Sequence, residues 1–329
     1  MEAMIRKEFE QLRRDRRTVA MLVAVPLLML VVFGYAARFD VETVRTAVLG
    51  QAPPAGALPA AFDILETVPA GTDPVDVLRR NDIDAVLILG EDRVLVDGTN
   101  LFAGQLVQRL TATSPLQAEV LFNPDLDTTT VMVPALVGLI MLFIGALATS
   151  LGVVRERQTG TMEQLAVMPF SPTDLFVGKL APYLAIAVLD LLVIVGVGLL
   201  VFSVPFVGSP LLFAAGAGLF LFVALSLGVL ISTVSDNQGQ AVQLALMVLL
   251  PQVMLSGLIF PIESMAGPLQ VVARVLPLTW FNEIARGVMV RGAGLAEVWV
   301  PMVVLIGMGA VVFLAAIRRF GRVLTGGAA

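Results

Sequence analysis

The chain has 329 residues, 57% apolar and 14% charged, with no cysteine, no histidine and a formal net charge of −5; its mean hydropathy is +0.91. An ordinary soluble domain carries about 25% charged residues, so water is not the main solvent here. The missing cysteine and histidine exclude disulfide frameworks, thiolate metal centres and imidazole acid-base catalysis, and the acidic balance leaves no basic footprint for nucleic acid.

Residues 1–17 mix charges with Ile5, Phe9 and Leu12, which share one helical face and predict an amphipathic interfacial helix. Residues 18–37 form an apolar run broken only by Pro26 and Gly34, which reads as a first membrane span. A cleaved signal peptide is the alternative, with Gly34-Tyr35-Ala36 as its small-x-small site. The run exceeds the about 7 to 15 apolar residues of a signal core, and further spans follow.

Residues 38–130 change character, being rich in Pro and Asp. Segments 44–49, 85–89 and 94–96 read as strands, and 73–80 as a helix with Asp73 as cap and Pro74 at its first position. Asp97-Gly98 marks a turn, and 101–110 reads as a second helix. A small α/β domain inserted between the first two spans is expected.

Apolar runs resume over 131–154, 180–203, 211–234, 241–260 and 299–317, each of a length that crosses a bilayer. Residues 204–210 allow only a tight antiparallel hairpin between two of them. The expected fold is a mainly α membrane protein: a bundle of six transmembrane helices with a small extracytoplasmic α/β domain between spans one and two. Short loops rich in Lys and Arg stay cytoplasmic. The first 17 residues, the loop 155–179 and the tail 318–329 carry such residues, which predicts a multi-pass protein of the cytoplasmic membrane with both termini inside. The segment 261–298 then lies outside, and its Arg274, Arg286 and Arg291 run against the bias.

No phosphate-binding loop is present. Gly178-Lys179 has Thr173 where the first glycine belongs and Leu180 where the hydroxyl belongs. If ATP drives this protein, another chain binds it. The loop after the second span carries its own start and stop signals: Thr161 and Gln164 form a capping box, and Pro169 ends the helix it opens. Met162, Leu165 and Val167 or Met168 supply an apolar face. A helix lying on the lipid surface is the alternative reading of this stretch.

This loop resembles the coupling helix of ABC-2 type permeases, the membrane subunits of type V ABC exporters of the multidrug and drug-resistance group. Glu156, Gly160, Thr161, Glu163, Gln164, Leu165, Pro169, Gly178 and Lys179 match the family pattern. Phe122-Asn123-Pro124 before Val133-Pro134 is similar to the family's approach to the second span. Ser256-Gly257, Phe260-Pro261-Ile262-Glu263-Ser264-Met265, Leu276-Pro277-Leu278-Thr279-Trp280 and Arg286-Gly287 are similar to its outer re-entrant region. Ala266-Gly267-Pro268 departs from the Met-Pro of many relatives, and the loop 235–240 lacks their basic residue.

The resemblance implies two permeases, identical or related, paired with two ATPase subunits in a lipid membrane. The coupling helix, with Glu156, Gly160, Thr161, Met162, Glu163, Gln164 and Leu165, would sit in a groove on the ATPase. Pro261, Glu263, Pro277 and Arg286 would belong to the outer re-entrant segment. The resemblance implies no catalytic residue, no metal and no cofactor on this chain, with ATP-Mg on the partner. The expected function is export of an amphipathic drug, lipid or similar substrate.

Asp190 lies in the middle of the third span, where an ionisable group is costly and faces the bundle interior. It reads either as part of a translocation path or as a structural residue bonded to a neighbour such as Ser226 or Gln243. Gly138, Gly145, Thr149 and Gly152 on the second span, and Gly216 and Gly218 on the fourth, allow close helix approach. Two rivals to the exporter remain: a membrane sensor or scaffold with an extracytoplasmic ligand module, and an ion-coupled transporter using Asp190.

Overall fold

The computed structural model describes residues 43–51, 58–80, 82–112, 114–159 and 172–326. The expected interfacial helix over 1–17, the first span over 18–37, and Gly160, Thr161, Met162, Glu163, Gln164 and Leu165 of the expected coupling helix lie outside these residues.

Five strands, β1 (Val44–Leu49), β2 (Phe62–Val68), β3 (Ala85–Ile88), β4 (Arg93–Asp97) and β5 (Gln117–Leu121), form one sheet in the order β2-β1-β3-β4-β5. β1 runs parallel to β2 and β3, β3 pairs antiparallel with β4, and β4 runs parallel to β5. The antiparallel pair is joined by a 3-10 turn at Leu89–Glu91, after which Asp92 takes the left-handed conformation at φ 51. Asp tolerates that region better than most residues because its short side chain bonds locally.

Side chains alternate across the sheet, so each strand feeds both faces. Val44, Val48, Ala85, Leu87, Val94 and Val96 pack with Ala103 and Val107 of helix α2 (Leu101–Thr111). Ala47, Val86 and Leu95 face the other way, onto Val77 and Leu78 of helix α1 (Pro74–Arg79). Asp73 caps α1 by accepting from the Val75 amide, with Pro74 at N1, as the sequence predicts. The sheet is thus sandwiched between two short helices.

The helical part begins with α3, which runs unbroken through Thr128–Gln158. Asp127 caps it, and its Phe143–Ala148 stretch is π-helical. α4 (Pro172–Leu200), α5 (Pro210–Val234), α6 (Gln238–Leu255), α7 (Gly267–Val275), α8 (Pro277–Arg286) and α9 (Leu295–Gly326) follow. Among the described residues, five helices are long and apolar enough to cross a membrane: Thr128–Gln158, Ala181–Leu200, Pro210–Val234, Gln238–Leu255 and Leu295–Arg319. The helix expected over 241–260 stops at Leu255, because Gly257 turns the chain into the left-handed region at φ 75.

α5 is the central helix, flanked by α3, α8 and α9. α8 is too short to cross, yet it packs into the bundle core with Leu278, Phe281 and Ile284 fully buried. Phe281 stacks on Phe220 of α5 with ring centroids 4.6 Å apart. This insertion depends on missing side chains: a Cβ on Gly138 would sit 2.4 Å from Phe281, and one on Gly216 would sit 2.7 Å from Ile284. The small residues of spans two and four therefore serve contacts within the chain. Gly145 and Gly228 do the same where α3 meets α5, and Gly152 accommodates the hydroxyl of Tyr183 on α4. A Cβ on Gly218 meets nothing within 4 Å among the described residues.

Candidate functional site

The junction between sheet and helices is built from turns. After β4, the Asp97 carboxylate accepts from the Thr99 amide and hydroxyl, both at 2.8 Å. Asn100 then caps α2 by accepting from the Ala103 amide. Asn123, 4% exposed, donates to Gly98 O and Asp127 O and accepts from the Asp127 amide, which fixes the start of α3 against the sheet. The same turn holds Phe122 at φ 67, an uncommon conformation for a bulky residue.

Charged side chains cross this junction. Arg45 of β1 makes a two-pronged pair with Asp84, both contacts at 2.8 Å, and its Nη1 lies 3.4 Å from Glu263 on the Ile262–Ser264 turn. Burial by itself would lower the Arg45 pKa, but the Asp84 hydrogen bond and charge outweigh it and hold the group above its ordinary value. Asn100 adds a donor to Asp84 at 3.0 Å. Arg291, in the π-helical turn after α8, reaches Asp97 at 3.2 Å, and its carbonyl accepts from Arg79 Nε of α1.

α8 supplies the facing wall. Asn282 donates to the Ser256 carbonyl and hydroxyl, and Arg286 donates to Gly257 O at 2.7 Å. Burial, reinforced by Arg291, lowers the Arg286 pKa to about 10. Glu283 lies one helical turn before Arg286, and burial pushes its carboxyl up to about 7, against the opposing pull of Arg291. A cavity of about 320 Å³ lies between these groups, lined by the sheet domain, the start of α3 and the segment around α8.

At the other end of α3, Arg157 donates to Ser235 O at 3.3 Å and Gln158 accepts from Gln238 at 3.0 Å. Asn237 caps α6 through the Gln240 amide, and Gln240 returns a bond to the Asp236 amide. The turn between α5 and α6 is therefore ordered and tied to the end of α3.

Of the residues singled out in the sequence, Pro261, Glu263 and Arg286 meet at the cavity, while Pro277 stands outside it as the first residue of α8. Glu156 is half-buried near the end of α3. Asp190 is half-buried on α4. Among the described residues, Ser226 Oγ, one of its expected partners, is buried without a hydrogen-bond partner, so that pairing is not made. Arg45, Asp84, Asp97, Asn282 and Glu283 were not identified from the sequence as site residues. Arg291 stood out only as a cation against the charge bias, and the fold pairs it with Asp97.

The family model for "ABC-2 family transporter protein" matches residues 16–318. The chain is 30% identical over 340 residues to the probable multidrug ABC transporter permease YbhS of Escherichia coli K12, covering 89% of each protein. It is 26% identical over 338 residues to the probable multidrug ABC transporter permease YbhR of the same organism, covering 90% of this chain and 91% of YbhR. Over 186 residues it is 28% identical to ABC transporter G family member 20 of Dictyostelium discoideum, which is 56% of this chain and 26% of that protein. A match of this extent, on a chain of long apolar helices with a small sheet domain, means that the protein belongs to the ABC-2 family of transporter permeases.

Proposed function

We propose that the chain is the permease subunit of an ATP-binding cassette exporter, moving an amphipathic drug, lipid or similar substrate out of the cell. ATP-Mg is bound and hydrolysed by a separate ATPase subunit, and two permeases pair with two ATPases. The observation that carries this reading is the family match across residues 16–318 of a chain that has no phosphate-binding loop. The naming of YbhS and YbhR as probable multidrug ABC transporter permeases supports an amphipathic substrate.

In this reading both termini and the loop 155–179 are cytoplasmic, and the sheet domain lies outside. ATPase closure moves the loop through Glu156, Gly160, Thr161, Met162, Glu163, Gln164 and Leu165. Two observations support transmission from there: Arg157 holds Ser235 O, and Gln158 holds Gln238, so displacement of the end of α3 reaches α5 and α6 as well. A rigid, hydrogen-bonded connection passes on a displacement that a slack one absorbs. Asp190 remains a candidate for the path, and no residue of this chain performs chemistry.

Inside-out membrane vesicles holding the permease and its ATPase test the reading. ATP should drive accumulation of an amphipathic fluorescent substrate, and collapse of the proton and sodium gradients should leave it intact. Accumulation that follows those gradients and ignores ATP would overturn it.

A further inference from the structure

The cavity at the junction has one carboxylate that no bond from the described residues reaches. Three carboxylates, Asp84, Glu263 and Glu283, and three guanidinium groups, Arg45, Arg286 and Arg291, line it, and a fourth carboxylate, Asp97, pairs with Arg291. Arg45 is engaged by Asp84 and Glu263, Arg291 by Asp97, and Arg286 by the Gly257 carbonyl. Among the described residues, no hydrogen bond or ion pair reaches the Glu283 carboxylate, and the half-buried residue lines the cavity. A carboxylate drawn out of bulk water without a partner favours protonation or a cation beside it. Groups of this kind cluster at ligand and catalytic sites.

The rest of the lining describes what that ligand carries. Phe102 of α2, Met132 of α3 and Leu258 are apolar members of the same lining. A volume of about 320 Å³ falls in the range of small-molecule sites, which combine apolar walls with a few placed polar groups. With Asp97 counted, the carboxylates here outnumber the guanidinium groups by four to three, so an anion would add to the excess and a cation would offset it.

We propose that this cavity binds a protonated organic amine, with the Glu283 carboxylate as its counter-ion and Phe102, Met132 and Leu258 holding its apolar body. The proposal names the chemical class of a transported species and rests on the transport reading for that role. Binding itself needs no transport. The charges that bear on Glu283 are Arg291, Arg45 and Arg274, which favour its ionised form, and Glu263, which opposes it; Arg286 and Asp84 also line the cavity, and Asp97 pairs with Arg291. Because the amine needs the ionised carboxylate, protons compete with it.

The test uses the full chain with its ATPase in lipid nanodiscs, without ATP, titrated with dansylcadaverine, a primary ammonium on an apolar fluorescent body; empty nanodiscs give the background. At about pH 8 binding should be saturable. Glu283→Gln should weaken it on the order of tenfold or more, and so should lowering wild type to about pH 5.5, where the amine stays charged and the carboxyl does not. Met132→Trp, which fills the cavity from α3 and leaves Glu283 in place, should weaken binding as well. N-acetylated dansylcadaverine, which is neutral, should bind wild type no better than the amine binds Glu283→Gln.

Equal binding by wild type and either variant, or equal binding of the neutral probe, overturns the proposal. So does tighter binding of a dansylated carboxylate. If the amine binds as expected and ATP does not drive its movement in vesicles, the site stands and the transport reading fails.

Discussion

Arg291 Nη1 lies 3.2 Å from Asp97 Oδ2 with both side chains 3% exposed, an ion pair that joins the sheet domain to the turn after α8 across 194 positions of sequence. Removing one member takes the ion-pair contact from the other in a desolvated place, which costs up to about 3 to 5 kcal/mol, whereas removing both is milder. Asp97→Asn and Arg291→Met should each lower the melting temperature of the purified protein sharply. The double variant should recover most of the loss. Additive losses would mean that the two groups do not act as a pair.

Glu283 sets a pH dependence of stability. Its folded pKa is raised from 4.5 to about 7, so the folded chain holds more protons than the unfolded one between those values. The contribution is fully present below about pH 4.5 and is lost as pH rises through about 7, a change on the order of 3 kcal/mol at most. Wild type minus Glu283→Gln, compared by thermal unfolding at about pH 5 and pH 8, isolates it. The variant should be the more stable protein at the higher pH, and a difference independent of pH would contradict the assignment.

The legible parts of the fold were the local ones. Asp73-Pro74 announced α1, and the apolar runs announced the long helices, because cap chemistry and bilayer length are written in consecutive residues. β2 and β5 were missed for a physical reason. Both are edge strands, and Phe62–Val68 exposes Asp63, Ile64 and Leu65 while Gln117–Leu121 buries no residue fully, so neither shows a clean apolar alternation. The cavity was largely illegible for another reason: Arg45 and Asp84 belong to the sheet domain and Glu283 and Arg291 to the segment around α8, far along the chain, and only the fold brings them together. Its traces in the sequence were Pro261, Glu263 and Arg286, singled out through the family resemblance, and the arginines that 261–298 carries against the charge bias.

Glycine positions on α5 should divide by what faces them. A Cβ on Gly228 would sit 2.7 Å from Ala146 O and 2.8 Å from Gly145 O, backbone atoms of α3 that have no side-chain freedom to retreat. Gly228→Ala should destabilise by about 1 to 3 kcal/mol through overpacking. Gly218→Ala meets nothing within 4 Å among the described residues and should be neutral or gain up to about 1 kcal/mol of helix propensity. Thermal unfolding of both variants in the same detergent decides this, and equal effects would put the contact in doubt.

The orientation proposed for the chain can be read from α3, whose 31 residues span about 46 Å. Gln117 precedes it and Thr159 follows it, and both are exposed, whereas Thr99 in the sheet domain is buried and would label poorly. Since the chain has no cysteine, Gln117→Cys and Thr159→Cys each give a single thiol. An impermeant maleimide added to intact cells should modify the first and spare the second. The reverse pattern would invert the proposed topology and remove the coupling role of the loop.

The coupling role itself is tested by Glu163 and Gln164, which lie between the capping signal at Thr161 and the stop at Pro169. Neither residue belongs to an apolar span, so Glu163→Ala with Gln164→Ala should leave insertion and thermal stability within about 0.5 kcal/mol of wild type, as exposed substitutions do. A helix that merely rests on lipid would make the double change silent in every assay. A helix seated on the ATPase would lose charge and amide contacts there, weakening docking or letting ATP turn over without export. The anchoring of Arg157 to Ser235 O adds a second arm: Arg157→Ala should leave ATPase docking intact and lower the export obtained per ATP, because it loosens the loop from α5. In reconstituted vesicles the two variants should therefore fail differently, the first in docking or in coupling, the second in coupling alone. Wild-type export and wild-type ATPase stimulation in the Glu163/Gln164 variant would remove the coupling role from this helix.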